Sequence, residues 1–280
     1  MRFALFTGLA GISWDDTLAL WRHADATGWD AACVTDHFMP NTRDRVGDSH
    51  ECWTALAALA HATSRMRVGT IVSGNTYRHP AVLAKMAVTV DHLSGGRLEM
   101  GLGAAWAENE HAMLGLEFGT VGSRIDRLAE ACQLMKLLWT EERASFEGRY
   151  YTLTEAIASP KPVQRPHPPL WIGGAGERKT LRVVAEHADV WNAPGDDGTG
   201  EEMGRLSGVL DRHCADVGRD PAEIRRSVQF RYEDADAALR TTEAYAGHGF
   251  SDVIVYLSGD QAREHAQTVA GLLPRLRELG

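Results

Sequence analysis

Cysteine is scarce. Residues 33, 52, 132 and 214 are the four cysteines of a 280-residue chain, and none forms a CxxC pair. That argues against a disulfide scaffold and against the common zinc spacings, and it fits a reducing compartment. HxH and HExxH are also missing, so no metal site is predicted. Lysine is rarer than its partner: four Lys stand beside 25 Arg. Basic residues total 29 against 38 acidic, a formal charge of -9. A nucleic-acid binder or a coat for anionic membranes needs the opposite balance. An anionic small ligand stays compatible, because a local site can be positive on an acidic protein. No apolar run approaches the about 18 residues that span a bilayer. The opening MRFALFTGLAG is too short for a secretory signal and lacks its cleavage site, so a cytoplasmic location is expected.

What is present is ordinary in bulk, with 44% hydrophobic and 24% charged residues, and regular in order. Short β-branched or apolar runs alternate with longer amphipathic ones. Strands are predicted at Arg2–Phe6, Ala31–Thr35, Arg67–Val72, Arg97–Gly101, Leu170–Ile172, Asp189–Trp191, Glu223–Val228 and Ser251–Tyr256. Helices are predicted at Asp15–Thr27, Glu51–Thr63, Pro80–His92, Ser123–Trp139, Lys179–His187, Glu201–Val217, Asp234–Gly247 and Asp260–Leu279. Eight βα units imply a parallel sheet with right-handed crossovers. At this length they favour an α/β (β/α)8 TIM barrel, with an open doubly wound sheet as the alternative. No linker divides residues 1–280, which are read as one domain. The one break in rhythm, residues 144–169, holds five prolines and reads as an inserted hairpin and loop before strand five.

A barrel enzyme builds its site from the C-terminal ends of its strands. Asp36-His37 follows strand two, where the pair is either a proton donor and acceptor near neutral pH or a turn cap beside a structural His. Asn75-Thr76 follows strand three. Gly103-Ala104 follows strand four, with Trp106, Glu108 and Glu110 next. Gly173-Gly174-Ala175-Gly176 follows strand five and opens a helix bearing Arg178, Lys179 and Arg182. Such a loop is either a phosphate cradle at a helix N-terminus or a plain tight turn. Trp106 and Trp191, beside these glycine-rich ends, either wall a planar cofactor or pack in the core.

The stretches VTDHFMP, GTIVSGNTYRHPAVLAKMAVTVDHLSGGRLEMGLGAAWAENEH, RIDRLAEACQLMKLLWT, FEGRYYTL and LWIGGAGERKTLRVVAEHADVWN resemble the luciferase-like monooxygenase superfamily. Within it they resemble the coenzyme F420-dependent oxidoreductase branch. The resemblance runs over roughly residues 1–230 in unbroken motif order. It implies a barrel with a deazaflavin in its mouth and hydride transfer to or from a small organic substrate. By motif position it implies that Asp36 hydrogen-bonds the ring region and that His37 serves the reacting face. A non-prolyl cis peptide at or beside Ile71–Val72 would buttress the ring. Asn75 and Thr76 would line the pocket, and residues 173–176 would hold the cofactor phosphate. Two departures matter. Members that oxidise glucose-6-phosphate carry a Trp where this chain has Asn41, and an acid roughly where it has Trp106, so that substrate is not carried over. Glu51, at the start of the helix after the second loop, and Glu108 are the candidate replacement carboxylates near the mouth, with Glu108 expected in catalysis. The alternative on the same scaffold is an FMN-dependent monooxygenase using reduced flavin and oxygen. A homodimer is a further expectation from the family.

Overall fold

A computed structural model describes residues 1–257 and 261–280. The predicted helix start at Asp260 lies outside the described residues. Eight parallel strands form the wall: β1 (Arg2–Thr7), β2 (Ala31–Val34), β3 (Arg67–Thr70), β5 (Leu98–Gly103), β8 (Leu170–Gly173), β9 (Val190–Ala193), β10 (Arg225–Arg231) and β11 (Asp252–Tyr256). A two-residue strand, β4 (Ser73–Gly74), adds to β5. β1 pairs with both β2 and β11, with Arg2 opposite Asp252, so the sheet closes on itself and the fold is a TIM barrel. The open-sheet alternative is excluded by that closure.

Alternation along each strand separates two apolar layers. Phe3 and Leu5 join the large cluster between strands and helices. Ala4, Phe6, Ala31, Cys33, Ile71, Trp171, Val190 and Ile254 form a second cluster inside the ring. The floor of the barrel is polar. Buried Glu99 accepts from Arg2, Arg67 and the Trp171 indole, and Arg225 stands 3.5 Å away. Arg2 and Arg225 also reach Asp252, at 3.2 and 2.8 Å. Six strands are tied together there. A buried carboxylate is tolerable only when paired and hydrogen-bonded in this way.

The helices are α1 (Trp14–Ala26), α2 (Cys52–Ala62), α3 (Pro80–Leu93), α4 (Glu108–Leu114), α5 (Val121–Thr140), α6 (Thr180–His187), α7 (Glu201–Val217), α8 (Ala235–Gly247) and α9 (Ala262–Arg277). Their starts are the predicted ones to within a few residues, because the caps are local. Ser13 accepts from the Asp16 amide, and Glu51 accepts from those of Trp53 and Thr54. α4 is an addition, since a seven-residue helix shows too few turns for its period to be legible. The inserted segment is a hairpin, β6 (Ala144–Glu147) against β7 (Thr152–Ala156), followed by the proline-rich loop. Asp91 of α3 binds that loop through the Val163 and Gln164 amides and the Gln164 side chain. Among the described residues no helix is long and apolar enough to cross a membrane.

Strand three is shorter than expected. It ends at Thr70, where the chain turns through a cis Ile71–Val72 peptide before β4. Val72 then lies across the tops of β5 and β8. A Cβ at Gly103 would stand 2.6 Å from a Val72 methyl, and one at Gly173 would stand 3.1 Å away. The glycines at these strand ends are therefore the seat of Val72.

Candidate active site at the barrel mouth

The mouth gathers the ends of β2, β4 and β5. His37 projects after β2, its side chain 17% exposed. Its Nδ1 lies 2.7 Å from Glu110 Oε2. Glu110, on α4, is wholly buried and has four hydrogen-bond partners. Oε2 faces His37 Nδ1 and takes the Tyr77 hydroxyl at 2.5 Å; Oε1 takes the amides of Phe38 at 2.6 Å and Met39 at 3.1 Å. Burial pushes this carboxyl up, but the His37, Tyr77 and Phe38 donors outweigh it and hold it down at about 2. Burial and then the Glu110 contact push the Tyr77 phenol up. Among the described residues His37 Nε2 has no hydrogen-bond partner, so it is the ring nitrogen left for a ligand.

Aromatic rings frame this histidine. Trp106 meets it edge-on at 5.3 Å and is 59% exposed, while Arg45 lies 5.6 Å over the Trp106 ring. Tyr77 stacks on His111 at 4.7 Å. His111 Nδ1 lies 2.8 Å from the Ala107 carbonyl, which can only accept. In the neutral ring Nε2 therefore accepts, and Thr76 Oγ1 donates to it at 2.7 Å. Thr76 is thus already engaged by the protein.

Asp36 stands behind the mouth. Its carboxylate is fully buried, with both oxygens bound by Arg78 at 2.7 and 3.1 Å. Burial pushes it up against the opposing pull of Arg78. Arg78 also binds Glu51, which caps α2. In this arrangement Asp36 reaches the mouth through Arg78 rather than with its own oxygens. Glu108 is exposed at the start of α4, and the acid brought to His37 is Glu110, two residues on. The sequence reading expects Glu108, but the rotation of α4 turns Glu110 inward and leaves Glu108 outside. Tyr77 and Arg78 carry no signal of their own in the sequence beyond adjacency to Asn75-Thr76, and His111 none beyond adjacency to Glu110.

Asn75 is buried, and its Oδ1 has no partner, while its amide nitrogen reaches the Arg124 carbonyl at 3.5 Å. A buried acceptor left open in this way is a place for a ligand donor. Gly103 and Ala104 end β5 beside it. Ile71 and Val72 form the ledge between β3 and β5. On the far side, Gly174 adopts φ +130, and a Cβ there would press the Thr180 methyl at 3.0 Å. The Trp191 indole donates to the Gly174 carbonyl at 2.8 Å, and the Gly174 amide donates to Asn192 O. These contacts turn the 173–176 loop toward the start of α6, which has no side-chain cap. An uncapped helix start with its dipole suits an anion. Of the basic candidates, Lys179 is paired to Asp126 and Arg182 to Glu186 on the surface, and Arg178 is exposed. Trp191 itself is fully buried against Phe250, so it shapes the loop from below and does not wall a ligand. Among the described residues no group of three potential ligands could hold a metal. A cavity of about 370 Å³ opens on the neighbouring rim, between the ends of β1 and β11, with Thr7, Ser13, Asp16, Tyr256 and Arg263 in its wall and none of the His37 cluster.

Comparison with known proteins bears on the family and the fold. An uncharacterised protein of Mycobacterium tuberculosis is 36% identical over 168 residues, 60% of this chain and 55% of that protein. The chain thus matches little more than half the length of that relative. An F420-dependent glucose-6-phosphate dehydrogenase of Kineococcus radiotolerans is 32% identical over 227 residues, 80% of this chain and 66% of that enzyme. The solved structure of an F420-dependent secondary alcohol dehydrogenase with an F420–acetone adduct superposes with a TM-score of 0.88 at 19% identity, covering 98% of both chains. At that identity the likeness speaks for the fold alone. The luciferase-like monooxygenase profile matches residues 1–273. With that match over nearly its whole length, the chain belongs to the luciferase-like monooxygenase family.

Proposed function

We propose that this chain is a coenzyme F420-dependent oxidoreductase. The observation that carries the reading is His37, bound through Nδ1 to a buried carboxylate and open at Nε2 in the barrel mouth. The relative from Kineococcus radiotolerans, matched over 80% of this chain, supports F420 as the partner.

The residues present fit such a cofactor. The open Asn75 Oδ1 matches a ring N–H donor. The Ile71–Val72 ledge, with Gly103 and Ala104, offers an apolar seat for a flat ring. Gly173, Gly174, Ala175 and Gly176 at the uncapped start of α6 suit a phosphate. When bound, a deazaflavin supplies a hydride acceptor or donor that reacts poorly with oxygen.

The chain's own part is to orient and to move a proton. His37 Nε2 takes the proton of a substrate hydroxyl as its carbon loses hydride, and returns it in the reverse direction. Glu110 balances the imidazolium charge. Trp106 and Tyr77 limit water around the ring. Arg78, fixed by Asp36, holds the segment after β4 against α2.

The test is a titration with oxidised F420 and, separately, with FMN, read by quenching of the eight Trp residues. Micromolar F420 binding, with FMN weaker by about tenfold or more, supports the reading. Tighter FMN binding overturns it in favour of an oxygen-using flavin monooxygenase. Binding of neither overturns both.

A further inference from the structure

We propose that Glu110 is a positioning residue that fixes the tautomer of His37, holding the proton on Nδ1 and the lone pair on Nε2. The inference deepens the proposed function and rests on it only for its consequence; the tautomer itself is a property of the free protein.

The argument is one of donors and acceptors. An ionised carboxylate can only accept, and Glu110 is held in that form by its four donors. His37 Nδ1, 2.7 Å from Oε2, must therefore carry a hydrogen. The competing neighbour of Nδ1 is the Tyr77 hydroxyl, at 3.3 Å. That hydroxyl has one hydrogen, and it is spent on Glu110 at 2.5 Å. Nothing else among the described residues offers Nδ1 a proton. The charged and titratable groups around the ring are Glu110 from α4, Tyr77 from the segment after β4, Arg45 beyond Trp106, and the Asp36–Arg78 pair at the strand end. Of these, Glu110 alone is a carboxylate in contact with the ring. The two oxygens divide the work. Oε1 holds the Phe38 and Met39 amides, which fixes the backbone that carries His37, while Oε2 sets the ring. Backbone, ring plane and tautomer thus share one residue.

Glu110→Gln separates these tasks. The amide oxygen can keep the Phe38 and Met39 bonds, which places the NH2 group against Nδ1. A donor there forces Nδ1 to accept, and the proton moves to Nε2. The experiment is two-bond 1H–15N correlation NMR on 15N-histidine protein at alkaline pH, which reads the ring nitrogen that carries the hydrogen. His37→Asn assigns the signal. The expected result is Nδ1–H in the wild type and in Tyr77→Phe, and Nε2–H in Glu110→Gln. A wild-type ring with its proton on Nε2 overturns the inference, whether or not Glu110→Gln folds. So does an unchanged Nδ1–H signal in a folded Glu110→Gln variant. Loss of Nδ1–H in Tyr77→Phe assigns the control to Tyr77 and overturns it too. Failure of F420 to bind the wild type overturns the proposed function and leaves this measurement intact.

Discussion

The Val72 side chain occupies the space that a Cβ at Gly103 would need, with 2.6 Å between them. Gly103→Ala therefore forces Val72 off its seat. We expect a loss of about 1–3 kcal/mol in urea unfolding, the usual cost of overpacking. We also expect weaker F420 binding, since Val72 forms the ledge. Unchanged binding with lowered stability would remove Val72 from the cofactor site.

Asn75 predicts the reverse split. Its Oδ1 is buried without a partner in the free protein. Asn75→Ala removes an acceptor that folding leaves open, so the unfolding midpoint should hold or rise. F420 affinity should fall by about 1–3 kcal/mol, the cost of leaving a buried donor unmet. Trp-quenching titration of both proteins checks this. Equal affinity would sink the pairing of Asn75 with the ring.

His37→Asn should leave F420 binding in place and lower hydride transfer by about 10²–10⁴, the range of a general acid–base group. Stopped-flow absorbance of F420 during turnover reads it. A variant with undiminished turnover would show that the proton is handled elsewhere.

The buried Glu110 makes stability pH-dependent at the acid end. Its carboxyl ionises at about 2 in the folded protein, against 4.5 as the ordinary value. A depressed carboxyl stabilises above its unfolded value and loses that contribution as pH falls through the folded one. The contribution is about 3 kcal/mol at neutral pH, lost between about pH 4.5 and pH 2. Urea midpoints across that window should fall for the wild type. Glu110→Gln should show a flatter curve; parallel curves would refute the assignment.

At the other end of the barrel, Glu99→Ala leaves Arg2, Arg67 and Arg225 around an empty place. A loss of about 3–5 kcal/mol is expected, as for a broken buried ion pair. F420 affinity of the protein that remains folded should be unchanged, because Glu99 is at the floor and the site at the mouth. Calorimetry and titration together separate the two effects.

The barrel was legible because its signals are local and repeated. β-branched runs such as Arg67–Thr70 and caps such as Ser13 and Glu51 need no tertiary knowledge. Asp36, His37 and the 173–176 glycines were legible as strand-end residues, since the fold class says where to look. Their roles were not. Whether Asp36 faces a ligand or Arg78 depends on a residue 42 positions away. Whether Glu108 or Glu110 meets His37 depends on the rotation of a seven-residue helix. Trp191 reads as a strand-end aromatic until its strand alternation is fixed, and that puts it outward against Phe250. The cis peptide came from family resemblance, because no local residue preference marks Ile71–Val72.

The pairing of Arg2 with Asp252 bears on how the chain is made. The first strand of the barrel has partners far apart in the sequence, β2 close by and β11 last of the eight. One edge of β1 lacks its partner until Tyr256 has emerged, and Glu99 lacks its last partner until Arg225 has. Long-range closure of that sort is slow and exposed to mispairing. The arginines on the floor that reach Asp252 are thus also a latch that fastens only when the last barrel strand is in place.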